Sequence, residues 1–153
     1  MKILNIIESL DSNVSYHWIK RDDRDWDGQF KIGDNGYTVN ISKYLSSFIN
    51  FAGSSGGPYW LITFESDESS YDLTNKRESF KVFSTVIKMV EEFVNAVEPE
   101  QLVFSADKMT KEGGETSRVS LYHKMATKIG GSHGYTVRRK DEGDSVRFWL
   151  EKK

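Results

Sequence analysis

RESFKVFSTVIKMVEEFVNAVEPEQLVFSADKMTKEGGETSRVSLY, residues 77–122, decides the fold. Val82, Phe83, Val86, Ile87, Met89, Val90, Phe93, Val94 and Val97 recur at helical spacing. They form an apolar stripe about four turns long and wide enough to lie flat on a sheet. Lys88, Glu91, Glu92 and Asn95 make the polar face, and Pro99, which cannot continue a helix, ends it near Glu98. QLVFSAD, residues 101–107, reads as a short buried strand. KMTKEGGE is a loop. A second helix is expected from Thr116 or Ser117, either of which can cap it, to about Ile129. Its apolar face is Val119, Tyr122, Met125, Ala126 and Ile129, with Gly130, Gly131 and Gly134 stopping it. Helix, strand and helix in that order make an α/β crossover, which places ligands at the loops where helices begin.

Upstream, YWLITFE at 59–65 is nearly continuous in apolar and β-branched residues, as a central strand is. With QLVFSAD it brackets the first helix, so the two strands should run parallel through a right-handed crossover. GQFKI and YTVNIS alternate around Gly33-Asp34-Asn35-Gly36, where Asn-Gly supplies the positive φ angles of a tight hairpin. SYHWIK, residues 15–20, is a further strand, followed by the solvated charge run RDDRD. Ile3, Ile6, Ile7 and Leu10 repeat at helical spacing and predict an N-terminal helix over residues 1–12, packed on its own domain or docking a partner. The glycine-rich run at 52–58 lacks the Lys-Ser/Thr ending of a P-loop and precedes a strand, so it reads as a connection. Downstream, YTVRRK and SVRFWLEK pair through DEGD, with Phe148 and Trp149 on opposite faces.

Composition sets the limits. A chain of 153 residues, 37% hydrophobic and 29% charged, has the size and balance of one folded domain spanning residues 1–153. A net charge of −2 gives no general attraction to nucleic acid or to an anionic membrane. The absence of cysteine removes disulfides, thiolate metal sites and a cysteine nucleophile. His17, His123 and His133 lack metal-ligand spacing, so no metal is expected. No apolar run approaches the roughly 20 residues that span a membrane, and the first residues do not resemble a signal peptide. The expected compartment is the cytoplasm, or a particle assembled there.

The resulting order, α-β-β-β-β-α-β-α-β-β, resembles the GNAT (GCN5-related N-acetyltransferase) fold, an α+β domain with a central mixed sheet and a three-layer-like build. Leu121-Tyr122 and Gly134-Tyr135 resemble the family's N-x-x-A-x-x-L-Y…G-[FY] region, which implies Tyr122 as general acid to a coenzyme A thiolate. Glu115 and Arg118 stand at that motif's asparagine and alanine places. The family's [QR]-x-x-G-x-[GA] stretch corresponds to Arg77–Val82, which implies phosphate contacts from Arg77, Ser79 and Lys81. Phe80 and Val82 occupy the glycine places, where a side chain fills space the pyrophosphate needs. The pairing of VFSTVIKMVEEFV with LVFSADK and SRVSLYHKM also resembles small proteins encoded by tailed bacteriophages.

Three functions follow as expectations. The first is a non-catalytic binding or assembly protein with a protein partner and no cofactor, acting in a phage particle or on a host factor. The second is a divergent N-acetyltransferase that uses acetyl-CoA. The third is a nucleic-acid binder using Arg118, Lys124, Lys128, Arg138, Arg139, Lys140 and Arg147, a set diluted by Asp141, Glu142 and Asp144.

Overall fold

The computed structural model describes residues 14–45, 57–66, 76–107, 117–143 and 145–153, without the side chains at 66, 76–80, 106–107, 117–118, 120–121 and 142. The expected N-terminal helix over residues 1–12 lies outside the described residues. In chain order the elements are β1 (Tyr16–Arg21), β2 (Asp25–Ile32), β3 (Asn35–Tyr44), β4 (Tyr59–Ser66), α1 (Lys76–Val97), β5 (Gln101–Asp107), α2 (Ser117–His133), β6 (Tyr135–Glu142) and β7 (Ser145–Lys152). The strands form one sheet in the order β1-β2-β3-β4-β5-β7-β6. Among the described strands only the β4–β5 pairing is parallel; the others are antiparallel.

Strand alternation sorts the apolar residues onto two faces. Trp26, Phe30, Val39, Ile41, Ile62, Phe104, Phe148 and Leu150 point to one face and form a single cluster with both helices. Val82, Val86, Met89, Val90 and Phe93 come from α1, and Val119, Tyr122, Met125 and Ile129 from α2. The opposite face holds a small cluster of Tyr59, Val103 and Trp149, with Leu61 against it.

This corrects the expected fold class. The described chain is a seven-stranded mixed sheet with two helices on one face, not the three-layer GNAT-like arrangement. The physical reason lies in the strand order. The β4-α1-β5 and β5-α2-β6 connections both join parallel strands and both advance the same way along the sheet. Crossovers of one hand that advance in one direction keep their helices on the same face.

Two local expectations also change. The hairpin turn is Gly33-Asp34, with Ile32 already opposite Asn35, and Gly33 alone carries a positive φ, 62°. A positive φ at the first central residue is the type II′ pattern, so Asn35 and Gly36 belong to the strand. Helix α2 runs on past Gly130 to His133 and stops at Gly134, whose φ is 75°. Gly130 is tolerated inside it because α2 crosses β6 there: a Cβ would lie 2.6 Å from Val137 Cγ2.

Edge strand β1 is fastened to α1 by one carboxylate. Tyr16 Oη donates to Glu92 Oε1 at 2.5 Å and Trp18 Nε1 donates to Oε2 at 2.9 Å. From there edge-to-face rings run inward through Trp26 and Phe93 to Trp60.

Candidate functional site

The sheet has two ends at which a site could form. At the end where β4 and β5 finish, the strands pair only from Trp60↔Leu102 to Ile62↔Phe104 and then part. Beyond that point β4 stays with β3 as far as Tyr37↔Ser66, and β5 stays with β7 as far as Asp107↔Ser145. At the other end, where β4 and β5 begin and α1 finishes, a recess of about 370 Å³ opens.

Each wall of the recess has a local cause. Trp60, held edge-on against Phe93 at 4.9 Å, supplies an aromatic surface. Lys43, directly opposite Trp60 in the β3–β4 register, lays its Nζ over that ring at 5.9 Å from the centroid. Val97, Pro58 and Pro99 add apolar surface, and Glu98 and Glu100 stand at the rim. Gln101, only 2% exposed, donates to the Pro58 carbonyl at 3.2 Å and accepts from Trp149 Nε1 at 2.9 Å. Its amide therefore ties the strand start to the opposite face of the sheet.

Glu98 is the most unusual residue in this group. Its N–H bonds the Val94 carbonyl at 2.9 Å and its φ is 49°. That is the left-handed position just past a helix C-terminus, which glycine occupies at least cost. No basic residue stands in the last turn of α1, so the negative end of the helix dipole and the Glu98 carboxylate share one place. Pro99 fixes the exit, and its carbonyl accepts the Tyr135 hydroxyl. Burial first, and then the charges of Glu100 and Glu98, push the Tyr135 phenol up to about 12. A second, smaller recess of about 70 Å³ is lined by Glu98 together with Val94, Asn95, His133, Tyr135 and Lys152, so a lysine shares it with the Glu98 carboxylate.

The residues marked from sequence lie elsewhere. Tyr122 is 1% exposed, and its ring packs 5.4 Å from Phe104 in the core under α2. Arg77 and Ser79 are in the first turn of α1 and Arg118 in that of α2, with side chains outside the described residues. Lys81 is half-buried, and its carbonyl accepts the Thr85 hydroxyl at 2.7 Å. The basic set divides between the faces. Arg138, Lys140 and Arg147 share the face of Trp149, while Arg139 lies over Phe148 on the helix face. Several are already matched: Lys128 with Glu91 at 3.3 Å, Arg138 with Glu151 at 3.9 Å and Arg139 with Asp141 at 3.1 Å. Lys124 sits over the Phe83 ring.

Sequence reading missed Lys43, Trp60, Glu98, Glu100 and Gln101 as a group. One signal was present: Glu98-Pro99-Glu100 sets two carboxylates at a helix end where glycine and cations are favoured. No protein family, curated protein or solved structure matches this chain. Among the described residues no helix is long and apolar enough to cross a membrane.

Proposed function

We propose that the chain is a non-catalytic binding or assembly module that contacts a protein partner through the recess at the end of α1. One observation carries this reading: at the end of the sheet where the recess opens, Tyr44 and Leu45 are 42% and 59% exposed. Tyr44 stacks on Tyr59 at 5.3 Å on the face of the sheet opposite Trp60, while Trp60, Val97, Pro58 and Pro99 line the recess on the helix side. Aromatic and apolar side chains gathered and left exposed at one end of a sheet are the usual make-up of an interface. The resemblance to phage proteins supports a partner in a virion or among host factors.

The reading is tested by thermal denaturation with acetyl-CoA, since a ligand that binds the native state must raise its apparent stability. The expected result is no change in Tm. A concentration-dependent rise at micromolar acetyl-CoA would overturn it.

A second reading, divergent acetyl-CoA-dependent N-acetyl transfer, is favoured by the parting of β4 and β5 beyond Ile62 and Phe104. Parallel strands take ligands at their carboxyl ends, and a gap in the ladder there leaves room for one. The burial of Tyr122 weighs against its assigned role as general acid.

A further inference from the structure

We draw no further inference here: the strongest candidate, the face of the sheet opposite the helices, where the exposed ring of Tyr44 stacks on the cluster of Tyr59, Val103 and Trp149, is an apolar surface patch, and nothing in the structure shows what covers it.

Discussion

The two ends of the β4–β5 pair differ in how they are built. At the carboxyl ends the ladder breaks after Ile62↔Phe104, and each strand is held by its outer neighbour alone. At the amino ends the strands are locked together through side chains and turns. Gln101 bonds both Pro58 and Trp149, Tyr135 bonds Pro99, and the Lys152 N–H bonds the Glu100 carbonyl at 2.9 Å. An α/β crossover directs attention to the carboxyl ends, yet the recess with converging charge and aromatic surface lies at the other end. A rigid, hydrogen-bonded rim holds side chains in fixed positions, which a recognition surface needs.

This comparison can be broken in several ways, beginning with the largest effect. Phe104 closes the ladder at the splayed end and packs on Tyr122 and Phe148. Phe104→Ala should cost roughly 3–5 kcal/mol in denaturant unfolding. A loss below about 1 kcal/mol would mean that the strands are not joined there through the core. Gly28 lies where α1 crosses β2: a Cβ would sit 2.3 Å from Met89 Cε and 2.9 Å from Trp18 Cε3. Met89 can shift its tip but the Trp18 ring is fixed by Glu92, so Gly28→Ala should cost about 1–3 kcal/mol by overpacking. A neutral substitution there would show that α1 stands further off the sheet.

The alkaline response gives a smaller and more local test of the recess end. Tyr135 and Tyr16 both have phenols pushed up to about 12, burial being the first cause in each; Glu100 and Glu98 add to it at Tyr135, and Glu92 at Tyr16. An unfolded tyrosine ionises near pH 10, so in the window from about 10 to 12 the native state binds more protons than the unfolded one. Their contribution to stability is therefore complete below about pH 10 and is lost as pH rises toward 12. Absorbance at 295 nm should show Tyr135 and Tyr16 among the tyrosines that ionise late, together with unfolding. In Tyr135→Phe the late-ionising group should lose one member. If its size is unchanged, Tyr135 is not a shielded phenol.

How far the sequence could be read follows from which interactions are local. The apolar stripe from Val82 to Val97 and the runs at 59–65 and 101–107 each carry their own period, and each lies in the element it indicated. Parallel pairing of β4 with β5 followed from chain order and handedness. The side on which α2 packs did not, because it depends on β7 inserting between β5 and β6, a pairing no short stretch encodes. Gly130 looked like a helix stop because its freedom is visible in sequence, while the close approach of Val137 is not. Tyr122 belonged to an apolar stripe and also to a resemblance, and in the fold it lies with the stripe, in the core. The recess was illegible for a simpler reason: Lys43, Trp60, Glu98 and Gln101 come from four elements or their ends and make no motif. Only the mismatch at Glu98, a carboxylate at a glycine position, left a trace.

The most direct measurement is a map of backbone amide shifts on adding acetyl-CoA to the labelled protein. If the carboxyl ends of β4 and β5 hold no cofactor, the amides of residues 63–66 and 105–107 stay unmoved at micromolar acetyl-CoA. Saturable shifts at those amides would contradict the account.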